Sequence, residues 1–178
     1  MNTPQKKIIE AHYASELGLP VVIKNVPVIE IDGEEILDID YSKISETLFA
    51  SLLLKPFPLT GEEVRFMRLF MELTLEKLAA ALHVTHPTVL SWEKSNNQFT
   101  NMTDGTEAML RIFAARQGAK DNELIYVIAN KFFDNPWEKP SKASNKATIV
   151  QLDTSDNDNV PKVFYSDNEH DLQLVQEA

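Results

Sequence analysis

Residues 64–93 read VRFMRLFMELTLEKLAAALHVTHPTVLSWE, and the spacing of their apolar side chains decides how the middle of the chain folds. Val64, Met67, Met71, Leu73, Leu78, Ala79, Leu82, Val84, Val89 and Trp92 recur at helical intervals, interrupted by short polar breaks. Thr60, Thr74 and Thr85 stand where helix N-caps belong. Glu62, Glu63 and Glu76 follow in first turns, where the helix dipole favours negative charge. Pro87 fits the first turn of the third helix, because its missing N–H would have no partner there. Each helix is roughly eight to ten residues and marginal alone, so the three must share one core. Ala79 is small where two helices would cross, and a turn of only a few residues forces the second and third to meet steeply. The third helix then turns His86, Pro87, Leu90, Ser91 and Lys94 outward.

Outward from this stretch, the pattern changes twice. On the N-terminal side, residues 21–23 and 28–31 are rich in β-branched side chains, with Pro20 and Pro27 at their entrances. Asp32-Gly33 is a hairpin-turn dipeptide, and residues 36–39 follow it. Two or three short strands are expected, then a helix capped by Ser42 or Asp40 and ended by Pro56 and Pro58. On the C-terminal side, a helix starts near Thr103 or Asp104 and runs to Gln117, stopped by Gly118. Asp121 caps another that Pro136 closes. Residues 140–146 and 153–159 are polar, and the apolar islands at 149–150 and 163–165 cannot fold alone. The expected organisation is a small β-rich region with a helix over 1–55, a helical domain over 56–137 and an acidic, largely disordered tail over 138–178.

The net charge of −10 is unevenly spread. Residues 1–55 carry nine Asp/Glu and five Lys/Arg, residues 56–120 seven of each, and residues 121–178 eleven and five. The neutral middle can hold a nucleic-acid site if its cations share one face, and it would bind weakly unless dimerised. The absence of cysteine excludes disulfides, thiolate metal sites and a cysteine nucleophile. No apolar run approaches a membrane span and the N-terminus has no apolar signal core, so a cytoplasmic protein without a membrane partner is expected.

The run TLEKLAAALHVTHPTVLSWE over residues 74–93 resembles the helix-turn-helix of Xre-type, lambda-repressor-like regulators, whose pattern is a Ser/Thr cap, Leu-Ala, a turn, then Val and Trp-Glu. The resemblance covers about 55 to 60 residues. It implies a mainly α fold with a four- to five-helix DNA-binding domain that engages double-stranded DNA as a homodimer, acting as a repressor. It places base-reading positions on His86, Pro87, Leu90 and Ser91, with Thr88 and Lys94 near the backbone. Lys94, Asn96 and Asn97 are expected to contact phosphate, and Thr85 is expected among the DNA-binding residues. It also implies a structural pair between Arg68 and Glu93. Three departures stand out. Leu75 occupies the position where a phosphate-contacting glutamine is common. His83 stands at the turn glycine and must adopt a left-handed conformation. The third helix has no arginine, so bidentate guanine reading is absent. The layout HYASELGLPVVIKNV, then a helix, then PFPLTGEEVRFMRL is similar to antitoxin-like regulators of the MqsA/HigA type, without the zinc cysteines of the former.

No Ser-His-Asp order, glycine-rich phosphate loop or nucleophile elbow is present, so no enzyme and no cofactor is expected. His83 and His86 lack a third ligand nearby, which argues against metal. Asp38, Asp40, Glu34 and Glu35 read as an acidic strand edge that discourages stray pairing. Three functions follow as expectations. The first is a sequence-specific, dimeric DNA-binding repressor. The second is a type II antitoxin that neutralises a small basic toxin and autoregulates its operon. The third is a protein-interaction module that has lost DNA binding.

Overall fold

The computed structural model describes residues 6–31, 33–120, 122–123, 125–127, 130, 149–153 and 162–166. The chain forms two compact units, Met1–Ile44 with Thr148–Ala178, and Ser45–Ala147.

The first unit is built on β2 (Val21–Ile31), an eleven-residue strand rich in Val and Ile. β1 (Lys6–Tyr13) pairs with it antiparallel, from Lys6 opposite Ile29 to Tyr13 opposite Val22. The other edge of β2 is shared. β3 (Glu34–Leu37) pairs antiparallel with residues 28–31, across a turn in which Gly33 takes φ +85°. β4 (Ile149–Asp153) pairs parallel with residues 21–24, and β5 (Lys162–Ser166) pairs antiparallel with β4. Pro27 marks the changeover. Its carbonyl accepts from the Asp38 N–H at 2.8 Å, so its N–H, had it one, would point to the same edge. The β3 ladder stops where that donor is missing. Between the two partners Asn25 adopts φ +56°, and its amide donates to Asp153 at 2.9 Å. Val21, Val22 and Ile23 are fully buried, so both faces of this end of the sheet are covered.

α1 (Tyr41–Leu54) is capped by Asp40, whose carboxylate accepts from the N–H groups of Ser42 and Lys43. It starts in the first unit and continues into the second. There follow α2 (Gly61–Phe70), α3 (Leu75–Ala81), α4 (His86–Glu93) and α5 (Asp104–Gly118). Thr60, Thr74 and Thr103 cap α2, α3 and α5 through their side chains, and Thr60 forms a reciprocal capping box with Glu63. Leu48, Phe49, Leu52, Leu59, Val64, Met67, Leu78, Val89, Leu110 and Ala114 are buried. Phe49 of α1 stacks on Phe70 of α2, with ring centroids 4.3 Å apart.

A charged network is buried beside this apolar core. The Lys55 ammonium donates to both oxygens of Glu63, at 2.6 and 2.7 Å. Arg111 is fully buried and donates to Glu107 at 2.6 Å and to the carbonyls of Leu53, Lys55 and Phe57. It thus satisfies carbonyls at and beyond the end of α1 that the helix leaves open. Glu107 also accepts from the Leu59 N–H at 3.1 Å. Gly118 ends α5, and its role is spatial: a Cβ there would meet Phe49 Cε1 at 2.7 Å.

The fold class expected from sequence is corrected. The chain is not mainly α with a small β segment, a lambda-repressor-like four- to five-helix domain and a disordered tail. A five-stranded mixed sheet draws on both ends of the chain, and the helices do not make a clear helix-turn-helix fold. Two physical reasons apply. The islands at 149–150 and 163–165, too short to fold alone, lie in β4 and β5, which find ladder partners on β2 and on each other. The three short helices do not close a core by themselves: α1 and a buried ionic network complete it. β1 was not expected, and β2 runs through Pro27 as one strand where two were expected. The Asn122 side chain accepts from the Ile125 N–H at 3.0 Å at the start of the helical residues that follow; the expected cap Asp121 and the closing Pro136 lie outside the described residues. The rest of the expected tail, including most of 140–146 and 153–159, lies outside them too. Among the described residues no helix is long and apolar enough to cross a membrane.

Candidate nucleic-acid interface

α3 and α4 are joined by residues 82–85, and the joint is set by hydrogen bonding. The Val84 N–H reaches back to the Ala79 carbonyl at 3.0 Å and the His83 N–H to the Ala80 carbonyl at 3.3 Å. This is a Schellman closure with His83 in the left-handed position at φ +54°. The turn from α2 into α3 repeats it: Leu73 N–H to Arg68 carbonyl, Glu72 N–H to Leu69 carbonyl, and Glu72 at φ +56°. Neither left-handed residue is glycine.

α4 is anchored on one side and open on the other. Val89 and Trp92 are buried, Trp92 being 7% exposed. Thr85, Pro87, Ser91 and Lys94 are exposed, and His86, Thr88 and Leu90 are half-buried. Thr85 occupies the N-cap without a side-chain cap bond, and its hydroxyl lies 2.7 Å from that of Thr88. His86 Nε2 lies 3.7 Å from the Glu76 carboxylate of α3. The Glu76 N–H, then the Thr74 hydroxyl, hold that carboxyl below the usual range, with a smaller contribution from His86.

Two features fix α4 against α2. Arg68 clasps Glu93 in a bidentate pair, at 2.6 and 2.9 Å, and donates a third bond to the Leu73 carbonyl at 2.9 Å. One guanidinium therefore ties together α2, the turn after it and the end of α4. The hydrogen bond to Glu93 outweighs partial burial and raises the Arg68 pKa. The second feature is Gly61: an added Cβ would lie 2.4 Å from the Trp92 carbonyl oxygen and 2.9 Å from that of Glu93. The segment after α4 is pinned to the start of α2, with Glu62 N–H donating to the Asn96 carbonyl at 2.9 Å and Gly61 N–H to the Gln98 carbonyl at 3.2 Å. Asn96 and Asn97 are exposed on this segment, Asn96 at φ +49°.

The residues singled out in the sequence thus gather on one side of α4 and on the segment that leaves it. Sequence reasoning missed Ser95 and Asn101, which join Pro87, Thr88, Ser91 and Trp92 in lining a shallow groove. No helical spacing links Asn101 to α4, so nothing local could have placed it there. The buried set of Lys55, Glu63, Glu107 and Arg111 was also missed, Glu63 having been read only as a first-turn acid. Among the described residues no group of three or more His, Asp or Glu could hold a metal ion. No known protein family, curated protein or solved structure matches this chain.

Proposed function

We propose that this chain binds double-stranded DNA as a dimeric transcriptional repressor, laying α4 in the major groove. The observation that carries the reading is the division of α4: Val89 and Trp92 hold one side in the core while Thr85, Pro87, Ser91 and Lys94 are exposed. A major groove about 12 Å wide admits one such helix. In this reading His86 and Ser91 hydrogen-bond base edges, and Pro87 and Leu90 meet thymine methyl groups. Thr85, Thr88, Lys94, Asn96 and Asn97 meet the phosphates. The helix carries no arginine, so discrimination leans on apolar contacts and duplex shape.

The test is a gel shift on the fragment upstream of the chain's own gene, run as a salt series. Ser91→Glu with Lys94→Glu is expected to abolish retardation while leaving the thermal melt nearly unchanged. Retention of binding by that variant rejects α4 as the reading element. The low cation count favours a second reading, a protein-interaction module, because Lys94 is the one Lys or Arg among the α4 and segment residues assigned above. Complete absence of retardation at micromolar protein and low salt would favour it.

A further inference from the structure

We infer that Asn101 is a further base-reading residue, whose carboxamide recognises an adenine beside the bases met by α4. The inference rests on the reading of α4 as the helix that enters the major groove, and it names a specificity element that the helix itself does not supply.

Asn101 lines the shallow groove of about 330 Å³ together with Pro87, Thr88, Ser91, Trp92 and Ser95. Pro87, Ser91 and Ser95 follow one another at intervals of four, as do Thr88 and Trp92, so this part of the lining is one stripe of α4 and its continuation. Asn101 joins the stripe from the segment beyond. Its backbone is anchored on both sides. Phe99 bridges Thr60 in an antiparallel pair, and the Thr100 N–H donates to the Leu59 carbonyl at 3.0 Å. Two residues past Asn101, the Thr103 hydroxyl accepts from the Thr106 N–H at 3.2 Å and opens α5. Asn101 itself is exposed, and its carboxamide takes part in no hydrogen bond among the described residues. A polar fork on an anchored backbone therefore stands beside Ser91, spared the ordering cost of a loose loop.

The chemistry of the groove selects what it reads. None of the lining residues is charged, so the groove lacks the cation that neutralises a phosphate. Its hydroxyls can donate or accept, and so suit any base. A carboxamide differs, because it holds a donor and an acceptor side by side. Adenine presents the complement in the major groove: its N7 accepts from the Nδ2–H, and its N6 amine donates to Oδ1. Guanine presents two acceptors there, one of which would face Oδ1 with no hydrogen between them. A phosphate would use only the donor and leave Oδ1 against an anion. α4 carries neither arginine nor a carboxamide, so Asn101 supplies the bidentate contact that the helix lacks.

The test selects duplexes from a random pool with the unaltered full chain and with Asn101→Ala. The unaltered chain is expected to enrich a motif with one adenine fixed in each half-site. The variant is expected to enrich the same motif with that position open to any base. On the selected operator Asn101→Ala should bind about tenfold more weakly. Replacing that adenine with 7-deazaadenine, which lacks the N7 acceptor, should weaken the unaltered chain to a similar degree and leave the variant unmoved. A variant weakened equally on every sequence, or one that keeps the adenine, overturns the inference and leaves α4 as the reading helix. An unaltered chain indifferent to 7-deazaadenine overturns it too. A chain that enriches no motif at all rejects the reading of α4, and this inference with it.

Discussion

A Cβ on Gly61 would stand 2.4 Å from the Trp92 carbonyl oxygen and 2.8 Å from the Asn96 nitrogen, both backbone atoms with no rotamer to yield. Gly61→Ala is therefore expected to cost about 3 kcal/mol, read from urea unfolding, as overpacking against fixed atoms does. Arg68 makes the complementary point through charge. It and Glu93 are only 11% and 8% exposed, so removing one partner strands the other away from water. Arg68→Ala should cost about 3 kcal/mol, whereas Arg68→Met with Glu93→Leu should recover most of that loss. A third residue-scale expectation concerns pH. Burial, then the hydrogen bond that Tyr41 donates to Glu16 and the charge on that carboxylate, push the Tyr41 pKa up to about 12. A raised folded-state pKa means that this contribution to stability is complete below about pH 10 and fades as pH rises toward 12. Burial of Glu16 works the other way from its hydrogen bonds, with Tyr41 the chief donor, and the bonds win, holding its carboxyl below the usual range. Its contribution is present above the ordinary carboxylate pKa and is lost as pH falls. Ultraviolet titration of the four tyrosines should show a late phase that Tyr41→Phe removes.

At the scale of elements, the two Schellman turns invite a direct test. His83 and Glu72 both sit at positive φ where glycine is favoured. His83→Gly is expected to stabilise the protein by up to about 1 kcal/mol, since it removes left-handed strain at an exposed turn. A drop in the unfolding midpoint would show that the His83 side chain contributes more than its backbone costs. The strain at His83 was legible in the sequence, as were the threonine caps at 60 and 74 and the exposure of Pro87, Ser91 and Lys94, whereas Thr85, also expected as a cap, makes no side-chain cap bond. The legible features all depend on residues three or four apart. Pairing over long separation was not legible. Val21 lies opposite Val150, and nothing within a few residues of either announces the other. β1 was hidden for a different reason: KKIIEAHY alternates poorly and begins with two lysines. Pro27 misled, because a proline that ends one ladder reads, without its partners, as the end of a strand. The buried ionic network was illegible because burial of a charge depends on carbonyls and carboxylates far along the chain, as when Arg111 meets Leu53.

At the scale of the whole molecule, the chain folds back on itself: its last described strands complete a sheet begun by its first. Truncation after residue 147 tests what that closure contributes. It would remove β4 and β5, leaving the edge of β2 at residues 21–24 without a partner and taking away Leu152, which is fully buried. Losing that one side chain from the core forfeits about 2 kcal/mol of apolar burial, before the parallel ladder and the Asn25–Asp153 hydrogen bond are counted. Val21, Val22 and Ile23, fully buried in the intact chain, would then border an open edge. The truncated protein is expected to lose sheet signal in circular dichroism, bind a hydrophobic dye and aggregate at concentrations where the full chain stays dispersed. Helical ellipticity should persist, because α2 to α5 lie outside the sheet-bearing unit. An unchanged sheet signal would mean that β4 and β5 only decorate an edge already stable without them. The full-length chain would then owe its β2 core to the N-terminal strands alone.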